Sequence, residues 1–509
     1  MTPVLELSGI TKRFGAVTAN EDVSLHLDQG EIIALLGENG AGKTTLMSIL
    51  FGHYTADAGK VRVNGALLPP GRARAAIRAG VGMVHQHFAL APNLTVLENV
   101  MAGTEPLWRL RSDRAGGRAR LLALSQRFGL KVDPEARVSD LSVGECQRVE
   151  ILKALHNEAR VLILDEPTAV LTAQEAEGLF ATLREMASQG LSLIFISHKL
   201  HEVMSASDRV VVLRRGRVVA ERRTADTSKE ELAELMVGRA VARPERRPAR
   251  PGAVLLEAVG VQAKGLKDLS FRLHGGETLG IIGVSGNGQT ALAGLVSGLL
   301  APARGDLLIR GQRPARHDVP HAIAAGIGRI PEDRHAEGTI GDMTLWENAV
   351  LERIWAPEFS AHGRVKRAAA RAATEKILKD YDVRGARVDG RIRLLSGGNM
   401  QKLILGRVLE AGPDILVAAQ PSRGLDEGAI AGVHARLLEA RARGAGVLLI
   451  SEDLEEVLAL SDRIRAIVDG RLSPAIPVAR ADARLLGLMM AGDWDAAAAI
   501  ESGETPDAP

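Results

Sequence analysis

The sequence predicts an α/β protein made of two copies of one phosphate-binding domain. Three observations carry this. A glycine-rich loop follows an apolar run twice, as GENGAGKTT (37–45) and GVSGNGQTA (283–291). The two halves align at near-constant separation: Lys43 and Gln289 are 246 residues apart, while Ser142/Ser396, Glu166/Gln420 and His198/Glu452 are each 254 apart. Short apolar runs alternate with helical stretches in both halves, the pattern of buried parallel strands covered by helices. The steady offset denotes a tandem duplication of a whole domain, with about eight residues inserted between loop and serine motif of the second copy.

In the first copy, EIIALLG (31–37) is a continuous apolar strand feeding the loop, and a helix starts at about Lys43. VLILDE (161–166) and LSLIFIS (191–197) are further buried strands, whereas VSLHL (23–27) alternates and suits an antiparallel subsheet. The segment 241–252, VARPERRPARPG, is rich in proline and arginine and reads as a linker between domains 1–240 and 253–495. Residues 496–509 read as a disordered tail.

Composition narrows the function. A chain of 509 residues with 46% hydrophobic residues supplies several cores, and a net charge of +2 does not suggest a nucleic-acid binder. A single cysteine, Cys146, allows no intrachain disulfide and points to a reducing compartment. There is no apolar run long enough to span a bilayer, and MTPVLELSGITKRF lacks a signal-peptide layout. A cytosolic protein, or one peripheral to the cytosolic membrane face, is expected.

The first loop has the Gly-x4-Gly-Lys-Thr spacing. Its glycines let backbone N–H groups close around phosphate oxygens, Lys43 supplies a charge for the β- and γ-phosphates, and Thr44 offers a hydroxyl to Mg²⁺. The helix that follows turns its positive end to the anion. Asp165 and Glu166 close an apolar strand, where one carboxylate can hold Mg²⁺ and its neighbour take a proton from attacking water; helix capping before Pro167 is the plain alternative. His198 closes the next strand and can reach a γ-phosphate, against an ordinary structural role. Gln86 is a neutral group able to sense metal and water together. Phe14 either stacks on adenine or fills the core. LSVGECQ (141–147) and LSGGNMQ (395–401) each open a helix with serine and glycine, a second kind of anion site.

This ordered set resembles the ATP-binding subunits of ABC transporters, across almost the whole chain and in both halves. The resemblance implies two tandem P-loop ABC ATPase domains, each with a RecA-like core, an antiparallel β subdomain and a helical subdomain. It implies ATP and Mg²⁺ as cofactors. By resemblance, Gly37, Asn39, Gly40, Gly42, Lys43, Thr44 and Thr45 are Walker A residues, and Gln86 is the Q-loop glutamine. Asp165 is the Walker B aspartate, Glu166 the catalytic base and His198 the switch histidine. Head-to-tail pairing in the family sets Ser396, Gly397 and Gly398 of the second signature over ATP held by the first Walker A.

The second half departs from the family pattern. Gln289 replaces the Walker A lysine, Ala419 the aspartate, Gln420 the glutamate, Glu452 the histidine and Glu332 the Q-loop glutamine, and VQAKGLKD (261–268) has no aromatic matching Phe14. The first half keeps the catalytic set but has Val143 in its signature and Thr172 where a D-loop aspartate is usual. One competent composite site and one incompetent site are therefore expected.

A narrower resemblance is to importers of simple sugars and nucleosides. It rests on the fused domains, Glu332–Asp333–Arg334, LSGGNMQK (395–402) and QPSRGLDEGA (420–429). AAQP (418–421) with GNGQ (286–289) is more similar to the nucleoside branch. That branch implies two transmembrane permease subunits and, indirectly, an extracytoplasmic lipoprotein receptor of the basic-membrane-protein type. The chain would then sit on the cytoplasmic face of the inner membrane, as one fused pair or as two copies. Residues 87–99 and 333–348 are the expected permease-facing segments, with Leu90, Leu94 and Trp346 foremost. A soluble ribosome-associated tandem ATPase is the main rival, a DNA-repair ATPase would need coiled-coil or zinc insertions, and a non-hydrolytic binder would not need the intact first set.

Overall fold

In the computed structural model, the described residues are 3–502 apart from 16, 39, 86–87, 105–111, 169–170, 172, 198, 239–245, 249 and 386. The chain divides into units 1–241 and 242–509. Each has the same plan.

The first unit contains a six-stranded sheet in the order Arg217–Arg223, Arg209–Arg214, Ile32–Leu36, Ser192–Ile196, Val161–Asp165 and Val81–Val84. All neighbours are parallel except the outer Arg217–Arg223 strand. The strands are apolar throughout because both faces are covered. Ile32, Ala34 and Leu36 enter one core, and Ile33 and Leu35 the other. A separate antiparallel sheet runs Val17–Leu27, Leu5–Phe14, Ala58–Val63 and Ala66–Leu67. Helices Val96–Met101, Arg114–Arg127 and Val143–His156 pack together as a helical subdomain.

The second unit repeats this. Its main sheet runs Ile327–Ile330, Ile415–Ala419, Gly446–Ile450, Thr278–Ile282, Arg463–Val468 and Arg471–Leu472, with Ile476–Pro477 also pairing on Arg463–Val468. Leu256, Phe271 and Leu307 of its antiparallel sheet share a core with Ile281 and Val417. Helices Leu345–Val350, Arg367–Asp380 and Gly397–Leu409 form the helical subdomain.

The tail expectation needs correcting. Residues Asp495–Ser502 form a helix instead of continuing as disordered chain from 496. Ala497 is buried, and Trp494 and Ile500 pack on the second core. The Trp494 indole donates to the Met489 carbonyl (2.9 Å), and the Glu501 carboxylate accepts from the Ala475 amide (3.0 Å). Burial of these apolar groups outweighs the polar composition of ESGETPDAP at its first residues. Residues 503–509 lie outside the described set. Within the stretch read as a linker, Arg246 is paired with Asp462 (2.8 Å), and Arg441 donates to the Arg247 carbonyl (2.9 Å).

Candidate nucleotide site

Strand register brings the chemistry together. In the first unit, Leu35 and Asp165 are both level with Ile196, so three neighbouring strands end at one height. The loop 37–42, the Asp165–Glu166 pair and the segment after Ile196 leave the sheet at that edge, where open α/β sheets hold ligands.

The loop is held by its backbone. Gly37, Gly40 and Gly42 have φ of 153°, 84° and 99°. A Cβ on Gly42 would lie 2.2 Å from the Ala19 carbonyl oxygen and 2.7 Å from Asn20 Nδ2. Only glycine lets the chain pass here. Asn20, fully buried, donates from Nδ2 to the Gly42 carbonyl (3.1 Å), and the Gly216 amide donates to the Ala41 carbonyl (3.1 Å). Helix Lys43–Phe51 follows at once with no side-chain cap, leaving its first amides for an anion. Lys43 is buried and donates to the carbonyls of Gly37 (2.7 Å) and Glu38 (3.0 Å). Its ammonium therefore lies inside the loop's ring of backbone.

The Thr44 side chain lies near the Asp165 carboxyl and favours its charged form. Asp165 is only 6% exposed, and burial, with Glu166 beside it, pushes its carboxyl up to about 6 against the pull of Lys43 and Thr44. A hydroxyl and a buried carboxylate that gains from a cation suit Mg²⁺, a hard ion that takes oxygen ligands. Glu166 has φ of 48°, and its amide donates to the Ile196 carbonyl (3.0 Å), which turns its half-buried side chain out of the strand. Phe14 is 45% exposed and so is no core residue; its ring meets Tyr54 edge-on at 5.5 Å. Asn39, Gln86, His87, Thr172 and His198 lie outside the described residues. Thr45 is in the first turn of the loop helix.

Two organising residues escaped the sequence reading. Asn20 is one; its signal is a polar residue at a buried place in strand Val17–Leu27. Glu202 is the other. Buried, it accepts from Thr168 Oγ1 (2.6 Å) and Ser197 Oγ (2.7 Å) and pairs with Lys199 (3.2 Å). It ties the chain after Glu166 to the chain before His198.

The second unit keeps the frame and changes the chemistry. Ile281 and Ala419 are again level with Ile450, and Gln420 repeats the left-handed φ at 47°. Gln289 is buried where Lys43 stands in the first unit, and its Nε2 donates to the Val284 carbonyl (2.8 Å). The neutral amide fills the lysine's place without its charge. Burial, with Glu332 nearby, raises the Glu452 carboxyl pKa, while Arg423 and the Ser285 side chain of the loop oppose this. Two carboxylates beside a loop that lacks its lysine disfavour a triphosphate.

The signature turns differ as well. Ser142 caps its helix, and Glu145 returns a carboxylate to the Ser142 amide (2.8 Å). Ser396 caps helix Gly397–Leu409 with Asn399 as neutral partner (3.0 Å). Of the proposed permease-facing residues, Leu90 packs on the first core and Trp346 beside Val350 and Phe359, while Leu94 is half-buried. Among the described residues no helix is long and apolar enough to cross a membrane.

The Asp165 shift makes a prediction about the nucleotide-free protein. A native carboxyl that titrates near 6 instead of 3.8 holds more protons than the unfolded chain between those values. Stability of the first unit should therefore fall as pH rises through that window. Asp165→Asn should raise stability above pH 6 by on the order of 2–3 kcal/mol and flatten the slope. Thermal melts from pH 4 to 8 check this, and an unchanged or lowered melting point at pH 7 would refute it.

A glycine loop running into an uncapped helix, with lysine, threonine and a strand-end acidic pair around it, defines a P-loop nucleotide-binding protein; the second unit repeats the loop and helix without the lysine and the acidic pair. The chain belongs to the ABC transporter family, whose profile matches residues 20–169 and 266–423. It is an ATP-binding subunit of that family, and an ATPase. Among its relatives is the guanosine import ATP-binding protein NupO of Bacillus subtilis (strain 168), 42% identical over 99% of this chain and 100% of that protein. The nucleoside import ATP-binding protein NupA of Lactococcus lactis subsp. cremoris is 40% identical over 96% of this chain and 98% of its own length. The glucose import ATP-binding protein TsgD13 of Haloferax volcanii is 41% identical over 97% of each. In fold, the chain is similar to the archaeal ribosome recycling factor aABCE1 in its complex with ribosomal stalk protein aP1, with a TM-score of 0.63 and 18% identity over 94% of this chain and 92% of that one.

Proposed function

We propose that this chain is the motor of a nucleoside importer and cleaves ATP at one site only. The carrying observation is the contrast between the loops: Lys43 with Thr44 and Asp165 in the first unit, Gln289 with Glu452 in the second. The ATP of the reaction lies on the first loop, with Phe14 against the base and the signature Ser396–Gly398 completing the site in the closed pair. Lys43 and the loop amides bind and orient the phosphates. Mg²⁺, held by Thr44 and Asp165 with Gln86, supplies neutralising charge when bound. Glu166 takes the proton of the attacking water while its oxygen bonds to the γ-phosphorus and the bond to the β–γ bridging oxygen breaks, releasing ADP and phosphate. His198 holds the γ-phosphate in that step. The second loop retains Gly283, Gly286, Gly288 and Thr290, and any nucleotide it takes stays uncleaved.

Two relatives bearing nucleoside-import names at 40–42% identity, together with AAQP and GNGQ, favour nucleosides over ribose or glucose. The partners are two transmembrane permease subunits and an extracytoplasmic lipoprotein receptor, with the chain peripheral on the cytoplasmic membrane face. Vesicles carrying the assembled transporter should take up labelled guanosine or adenosine in an ATP-dependent way. Uptake of ribose with none of nucleoside would overturn the cargo, and co-purification with ribosomes instead of permeases would overturn the importer.

A further inference from the structure

Arg334 is the residue of the second unit that no role above uses, and its surroundings are unusually specific. Its Nη1 donates to the Arg423 carbonyl (3.1 Å), in the loop after strand Ile415–Ala419. The same guanidinium lies over the signature turn. A Cβ on Gly397 would stand 3.2 Å from its Cζ and 3.3 Å from its Nε and Nη2, and a Cβ on Gly424 would stand 3.0 Å from Nη2. Arg423 in turn pairs with Glu332, at the Q-loop position. Three loops of one unit thus meet at a single side chain: 332–334, 396–398 and 420–425.

We infer that Arg334 is a positioning residue for ATP hydrolysis, holding the signature turn Ser396–Gly398 in register with the Gln420–Leu425 loop. This rests on the proposal that the second signature completes the ATP site of the first unit.

Three observations support it. The backbone at Arg334 is built to stay put. Thr339 Oγ1 donates to its carbonyl (2.9 Å), and the Asp333 carboxylate accepts from the amides of His335 (2.8 Å) and Ala336 (2.9 Å). Second, the guanidinium is half-buried, and that burial lowers its pKa against the pull of the Asp333 charge, while among the described residues no carboxylate lies within ion-pair distance of it. A cation retained only for stability would ordinarily be paired. Third, the first unit supplies an internal comparison. By the same offsets, Phe88 and Val143 stand where the second unit has Arg334 and Gly397. A side chain at 397 would crowd the guanidinium, which would have to shift by a few tenths of an ångström, so the glycine suits the arginine's placement. The arginine is present in the unit whose signature serves the competent site and absent from the other.

The test compares ATPase of the chain assembled with its permeases for Arg334→Met, Arg334→Lys and the double variant Arg334→Phe/Gly397→Val, which transplants the first unit's apolar pair. Arg334→Met should lower kcat about tenfold or more, with KM for ATP within about twofold and an unchanged melting point. Arg334→Lys should recover little, because an ammonium lacks the planar fork that spans both loops. The double variant should melt like the parent and remain slow. Normal kcat in Arg334→Met, or full recovery in the double variant, would overturn the inference. Ser396→Glu separates the two levels. If it abolishes turnover while Arg334→Met is normal, only the role of Arg334 falls. If it leaves turnover intact, the composite-site proposal falls, and the inference with it.

Discussion

Glu166→Gln is expected to cut steady-state ATP turnover by about 10²–10⁴-fold while leaving ATP binding in place. The side chain sits one residue past Asp165 on a left-handed turn, φ 48°, with its amide held by the Ile196 carbonyl. That turn carries it off the strand and out of the core, whereas Asp165 stays buried beside Thr44. The two carboxylates therefore have separable tasks. The exchange to glutamine keeps the shape and removes the charge and the ability to accept a proton. Binding should be followed by nucleotide fluorescence and turnover by phosphate release. Residual activity above about a tenth would place the base elsewhere. Gln420, which repeats the turn at φ 47°, is this substitution already made in the second unit.

The second large effect is an asymmetry between the loops. Lys43→Ala is expected to abolish hydrolysis, since it removes the buried ammonium that the Gly37 and Glu38 carbonyls now hold. Gln289→Ala should change it less than about twofold, because the Gln289 amide only bonds to the Val284 carbonyl and carries no charge to lose. Gln289→Lys should restore nothing, for Ala419, Gln420 and Glu452 remain where the first unit has aspartate, glutamate and histidine. A single-turnover count on the assembled transporter should give one ATP cleaved per closure of the two domains. Two cleaved per closure, or a gain of activity in Gln289→Lys, would contradict the single-site reading.

Most of the fold was legible in local pattern. The apolar runs at 31–37, 161–166 and 191–197 became the strands Ile32–Leu36, Val161–Asp165 and Ser192–Ile196, and the alternating VSLHL fell in the antiparallel sheet. The phosphate loop was legible because its chemistry needs glycine, lysine and threonine at fixed spacing within one turn. Asn20 and Glu202 were not, because each acts on partners far away in the chain: Asn20 on Gly42, and Glu202 on Thr168. The helix Asp495–Ser502 was misread because its stability comes from packing on Met489 and the second core instead of from its own composition.

The sequence alone determined the duplication, the order of motifs and the loss of lysine, aspartate, glutamate and histidine from the second copy, since these are statements of residue type and spacing. Tertiary structure decided what stands in the vacated places and who holds what. It put the Gln289 amide in the lysine's place, brought Glu452 near Ser285 and Glu332, and set Arg334 between Gly397 and Arg423. The contacts of Glu452 and Arg334 join residues some 60 to 170 positions apart, and only strand register and loop packing bring them together.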